Sequence, residues 1–327
     1  MSVAPVTISE QKQVGQQLFP FVLSPEKKAE SAAMTSSSAA CEWVRNQKSA
    51  IDAQLLEHGA ILFRGFPLDD AQAFDDFVTS FGYEQMPYVG GAAPRKQVTK
   101  QVFTANEAPP DQPIPFHHEM AQVPSFPSVL FFYCEVAPPS GGQTPLVLSH
   151  HVYTAMAHKH PRFVQELEEK KVRYTRVLPD QDDPSSPIGR GWRSTFQTQD
   201  RAEAERKLTE QGTTFEWTAD GGLKTVTALL PAIREDPRTG KKMWFNSIIA
   251  AYKGWRDCRN CPERAVTFGD GSPMPPDVMD DLDLTLDQLA ADVTWQHGDV
   301  FMVDNRQVLH ARRPFTPPRR ILAALAK

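Results

Sequence analysis

Proline narrows the fold more than any other feature of this chain: 28 of 327 residues, about 9% against roughly 5% on average. A proline ring fixes φ and removes a backbone donor, so proline suits turns and edge strands rather than helix interiors or central strands. A helical bundle is excluded. Between the prolines run short apolar or alternating segments at Ala60–Phe63, Val98–Phe103, Val129–Cys134, Thr144–Leu148, Val172–Val177, Lys224–Leu230, Trp244–Ile249, Val293–Trp295, Val300–Val303, Val308–His310 and Arg320–Ala324. Each reads as a strand bounded by Pro, Gly or Asp turns. The pattern predicts a mainly β fold with flanking helices, organised as a sandwich or barrel. Helices are expected at Glu42–His58, closed by Gly59, and at Leu68–Phe81, with inserts at His151–Leu167, Asp200–Gln211 and Leu284–Asp292. Residues 1–40 read as an irregular segment and residues 41–327 as one domain.

Composition limits what the chain can bind. Thirty-five Lys and Arg against 40 Asp and Glu give a net charge of −5, and the only basic cluster is the short Arg312–Arg320 stretch, so nucleic acid is not expected as a partner. Met1–Glu10 shows no secretory pattern and no run approaches the length of a membrane helix, which points to a cytoplasmic protein without a membrane partner. Cys258 and Cys261 form a CxxC, but no second pair of matching spacing exists to complete a structural zinc site.

The informative stretch is Phe116-His117-His118-Glu119-Met120. In extended backbone, side chains alternate, so His117 and Glu119 project to one side and His118 to the other. One imidazole and one carboxylate can therefore meet a single metal ion. A second histidine would complete the two-histidine, one-carboxylate facial set that leaves three positions open on Fe(II). His310, on an apolar segment after Asp299–Asn305, has the best context among nine histidines.

Past His310, Pro314, Pro317 and Pro318 interrupt the chain before Arg319-Arg320-Ile321-Leu322 resumes an apolar pattern. An antiparallel hairpin centred near Phe315 would set Arg320 opposite His310 on the same face. From there a guanidinium fork reaches a carboxylate whose parent molecule is chelated to the metal, which points to a 2-oxo acid cosubstrate.

These ordered motifs resemble the Fe(II)/2-oxoglutarate-dependent oxygenases of the taurine dioxygenase (TauD/TfdA) family, and within it the clavaminate synthase-like branch. The resemblance spans roughly Ala60–Lys327. It rests on Ile61–Phe66 as an opening strand, Phe116–Met120 as the metal motif with Glu in place of the commoner Asp, Pro138–Thr144, Asp299–Asn305 followed by His310, and Arg320. It implies a double-stranded β-helix, or jelly-roll barrel, binding Fe(II) through His117, Glu119 and His310 and using 2-oxoglutarate and O2 as cosubstrates. It also implies that Thr144 and Arg320 hold 2-oxoglutarate. Four residues past Arg320, where the taurine enzyme has a sulfonate-binding Arg, stands Ala324, so a sulfonate substrate is not expected.

The activity implied is oxidation of a C–H bond of a small molecule, an amino acid or derivative, by hydroxylation, desaturation or cyclisation, with release of succinate and CO2. Glu119 disfavours halogenation, which needs that coordination position. Candidate substrate contacts are Arg190 and Trp192, in a Gly-flanked segment suited to a loop over the barrel mouth, and Asn246, which could equally satisfy neighbouring backbone. The alternatives are a non-catalytic, cupin-like binding protein, which would have no use for Thr144 and Arg320, and a zinc hydrolase, for which no HExxH is present.

Overall fold

Side-chain alternation along one strand sets the layering. In Val129–Val136, Leu130, Phe132 and Cys134 join one apolar cluster while Phe131 and Tyr133 join another, as a strand buried on both faces requires. This strand is central to a seven-stranded sheet in the order Val3–Pro5, Phe21–Pro25, Ala60–Phe63, Val300–Asp304, Val129–Val136, Arg320–Ala326, Phe103–Thr104. The computed structural model describes residues 2–26, 34–88, 95–105, 108–186 and 188–327.

One face of the sheet carries two helices. Ser37–His58 contributes Val44, Ile51 and Leu55, and Ala71–Ser80 contributes Phe74, Phe77 and Val78, all packed with Ile61, Phe63, Phe131 and Tyr133. The first helix is capped by the Ser36 side chain and ends at Gly59 in the left-handed region, φ 78°, where a side chain is disfavoured. The other face meets a three-stranded sheet ordered Leu146–Leu148, Val308–Arg312, Ile114–His117, with Leu146, Leu148 and Val308 packed on Leu130, Phe132 and Phe301. The far side of this small sheet, through Phe116, Val147, Leu309 and Ala311, is covered by the helices Ser149–Lys159, Pro161–Lys170 and Pro276–Leu289. Arg64 staples the large sheet, its Nε and Nη2 donating to both oxygens of buried Asp299 at 3.0 and 2.7 Å.

The fold is thus mixed α/β, with two facing sheets as its centre, and it differs from the sequence expectation in several places. The described part of residues 1–40 is not irregular throughout: strands Val3–Pro5, Lys12–Val14, Gln17–Phe19 and Phe21–Pro25 form there, and the last pairs in parallel with Ala60–Phe63. Trp244–Ile249 is not a strand but a turn entering a π-helical segment, Ala250–Gly254, and Val293–Trp295 is irregular. The helical stretch after His150 is two helices, because Pro161 cannot continue the first and starts the second. The 308–312 and 320–326 strands do not form a hairpin: Val308–Arg312 stays in the small sheet, whereas Arg320–Ala326 crosses to the large one and pairs with Val129–Val136.

Candidate active site

The small sheet brings the metal ligands together. His310 lies on its middle strand with Leu146 opposite on one side and His117 on the other. Alternation puts Phe116 and Leu309 on the helix-covered face and turns His117 and His310 inward, toward the large sheet. Their rings are 4.3 Å apart, and the His310 ring lies 5.1 Å from that of Phe132 across the interior.

The chain leaves the strand after His117, and His118 points away from the cavity as its parity requires. It is fully buried, and burial above all pushes its pKa down to about 3. A neutral ring is satisfied by donating from Nδ1 to the Asn305 carbonyl (2.5 Å) and accepting at Nε2 from the Ser149 hydroxyl (2.6 Å). His118 therefore locks the segment while its neighbours face the cavity. Asn305 does the same for Glu119: its Oδ1 accepts from the Glu119 amide at 2.8 Å and its Nδ2 donates to the Glu119 carbonyl at 3.0 Å and to Pro127 at 2.8 Å.

His117 donates from Nδ1 to the Pro115 carbonyl at 2.9 Å, which leaves Nε2 as the ligand nitrogen. Burial, with His310 beside it, lowers its pKa to about 4, so the ring is neutral and ready to bind metal. Burial opposes ionisation of Glu119, but Arg95 at 2.9 Å and the two histidines outweigh it, and the carboxyl is held well below its usual range. The Arg95 guanidinium carbon sits over the Tyr88 ring, 3.8 Å from its centroid.

Among the described residues, His117, Glu119 and His310 form the one group of three or more metal-binding side chains whose donor atoms converge, all within 4.8 Å of one another. Bonds of about 2.0–2.2 Å to imidazole and carboxylate put adjacent donors on an ion about 3 Å apart. Glu119 Oε2 and His310 Nε2, at 3.7 Å, need only a small closure. The donor set fits Fe(II).

The three ligands line a cavity of ≈ 580 Å³ whose walls also include Thr144, Arg319, Met120 and Phe132. Sequence reasoning pointed to Arg320 at this cavity, and it is the neighbouring arginine that lines the wall. Arg320 is half-exposed, pairs with Glu135 at 2.5 Å and does not line the cavity. Arg319 does: its Nη2 is 3.4 Å from Thr144 Oγ1, and its Nε donates to the Gly142 carbonyl at 2.9 Å. Burial, reinforced by Arg312, pushes its pKa down to about 9. A register shift between Arg320 and Ile321 accompanies the change of face, and a one-residue slip reverses every side chain. Gly142, at φ 69°, makes room for Arg319, since a Cβ there would stand 2.9 Å from Arg319 Cδ. Counting from Arg319, the position four residues on becomes Ala323, still alanine and fully buried.

Arg190, Trp192 and Asn246 do not line the cavity. Arg190 donates to the carbonyls of Tyr88 (3.1 Å) and Ser194 (2.7 Å). Trp192 is a core residue whose indole N–H donates to Asp180 at 3.0 Å. Asn246 satisfies backbone, donating to Ala232 and accepting from Ile248. Two residues at the site escaped sequence reasoning: Arg95 has no motif around it, and Asn305 was seen only as part of the stretch preceding His310.

The comparisons with known proteins agree with this geometry. A family model described as Taurine catabolism dioxygenase TauD, TfdA family, matches residues 37–325, and the chain belongs to that family. It is an Fe(II)/2-oxoglutarate-dependent dioxygenase, with Fe(II) as cofactor on His117, Glu119 and His310. A clavaminate synthase-like protein of Arabidopsis thaliana is 54% identical over 320 residues, 98% of this chain and 97% of the relative. Dapdiamide synthesis protein DdaC of Enterobacter agglomerans is 30% identical over 290 residues, 84% of each chain. The fold resembles that of AAD-2, solved with Mn(II) and N-oxalylglycine, at a TM-score of 0.54 and 14% identity over 100% of this chain and 97% of that one. No helix among the described residues is long and apolar enough to cross a membrane.

Proposed function

We propose that the enzyme oxidises an unactivated C–H bond of a small molecule, an amino acid or amino-acid derivative, with hydroxylation as the leading outcome and desaturation or cyclisation as variants of it. When bound, Fe(II) and 2-oxoglutarate would let O2 act as the oxidant: one oxygen atom enters succinate as 2-oxoglutarate loses CO2, and the other ends in the substrate's new hydroxyl group or, in desaturation and cyclisation, in water. The chain's own residues bind, orient and shield. His117, Glu119 and His310 would hold Fe(II) through three ligands, enough to leave positions for the cosubstrates. Arg319, in place of Arg320, takes the distal carboxylate of 2-oxoglutarate together with Thr144. Apolar Met120, Phe132 and Ile321 on the cavity wall exclude water from the reacting centre. The two facing sheets correspond to the halves of a double-stranded β-helix with the metal near one mouth.

The observation that carries the reading is that Arg319 and Thr144, 3.4 Å apart, share one cavity with the three metal ligands. A partly buried guanidinium in one cavity with a metal-binding triad suits a molecule with two acidic ends. A relative named for dapdiamide synthesis supports a small-molecule substrate. The test is a screen of amino acids and their derivatives with iron, 2-oxoglutarate and O2, read by mass: +16 for hydroxylation or −2 for desaturation or cyclisation, matched by succinate. Succinate release that no amino-acid-derived compound stimulates would refute the substrate class.

A further inference from the structure

Beside the main cavity lies a second recess of ≈ 50 Å³, and Gln122 and Trp255 contribute to the walls of both. One water needs about 10–15 Å³ by this measure, so the recess admits a polar group of a few atoms. Its lining includes Arg176, Thr195, Thr213 and Thr225. Two of these residues carry buried polar atoms with no hydrogen-bond partner among the described residues, Arg176 Nε and Thr195 Oγ1. Arg176 is 6% exposed and Thr195 3%.

Arg176 is also short of counter-charge. Its Nη2 donates to the Arg190 carbonyl at 3.0 Å, and no carboxylate among the described residues lies within ion-pair distance. The nearest acids are spoken for: Asp257 by Arg259, Asn260 and Ser186, and Asp182 by the Gly191 amide and the Ser194 hydroxyl. Burial pushes the Arg176 pKa down to about 10, with Arg190 adding to the effect, yet at neutral pH the group is a cation. A buried, unpaired cation is costly, and an anion entering the recess would relieve that cost.

We propose that this recess binds a carboxylate terminus of the prime substrate on Arg176 and Thr195, so that the enzyme acts on elongated, amino-acid-derived acids. The oxidised carbon then lies in the main cavity, on the other side of Gln122 and Trp255 from that carboxylate. The proposal rests on the substrate reading above and narrows it.

The experiment uses holoenzyme loaded anaerobically with Fe(II) and 2-oxoglutarate. The visible chelate band first checks the underlying reading. The probes are N-acetylated ω-amino acids, from N-acetylglycine to N-acetyl-6-aminohexanoate, each paired with its primary amide. Binding is followed through the chelate band and through melting temperature. Acids of matching length should bind at least tenfold more tightly than their amides. Arg176→Gln should abolish that preference with the chelate band intact, Arg176→Lys should keep part of it, and Thr195→Val should weaken it. The proposal is overturned if amides bind as well as acids, if Arg176→Gln binds acids like the parent, or if no acid binds to protein whose chelate forms. If Arg176→Gln does not fold, the acid–amide comparison in Thr195→Val decides. If the chelate itself fails to form, the cosubstrate reading falls, and the acid–amide difference in melting temperature still tests the recess.

Discussion

Two adjacent arginines, Arg319 and Arg320, give opposite expectations when each is replaced by methionine. Arg319 is partly buried on the cavity wall beside Thr144. A hydrogen bond to a charged group contributes about 1.5–3 kcal/mol, and about 1.4 kcal/mol is tenfold in affinity. Arg319→Met should therefore raise the 2-oxoglutarate Kd by about 10- to 150-fold. Arg320 is half-exposed and its ion pair with Glu135 lies at the surface; such pairs are worth about 0–1 kcal/mol. Arg320→Met should change that Kd by no more than about threefold. The assay is an anaerobic titration of 2-oxoglutarate into the Fe(II)-loaded protein, read at the chelate band. Weaker binding in Arg320→Met than in Arg319→Met would refute the assignment and restore the sequence-based choice.

Replacing His117 or His310 with Ala should abolish stoichiometric Fe(II) binding, measured by metal analysis after desalting, and turnover with it. Asn305→Ala leaves the Glu119 amide and carbonyl and the Pro127 carbonyl unpaired. The expected cost is about 3 kcal/mol in urea unfolding, with Fe(II) affinity down by about 10- to 100-fold; an unchanged affinity would remove Asn305 from a positioning role. Gly142→Ala places a Cβ at φ 69° against Arg319, and should weaken 2-oxoglutarate binding more than Fe(II) binding when the two are titrated separately.

The metal ligands were legible because two local rules sufficed. Period-2 alternation separates His117 and Glu119 from His118, and only one late histidine sits on an apolar strand. The presence of Arg319 on the cavity wall was not legible, because it depends on where the strand after Pro314, Pro317 and Pro318 resumes and to which sheet it crosses. Neither is encoded locally, and a slip of one residue exchanges the inward and outward side chains. Trp244–Ile249 looks like a strand by composition, yet its backbone joins the packing around His118, with the His118 amide donating to the Asn246 carbonyl at 3.2 Å. The N-terminal strands are three to five residues long and partly exposed, too short for a hydrophobic period, and their order comes from pairing with the rest of the sheet.

An anaerobic crystal structure of the Fe(II)·2-oxoglutarate complex tests the central claim most directly. The expected result is one iron on His117, Glu119 and His310, with the distal carboxylate of 2-oxoglutarate on Arg319 and Thr144. Iron bound elsewhere, or a distal carboxylate held by other residues with Arg319 uninvolved, would contradict it.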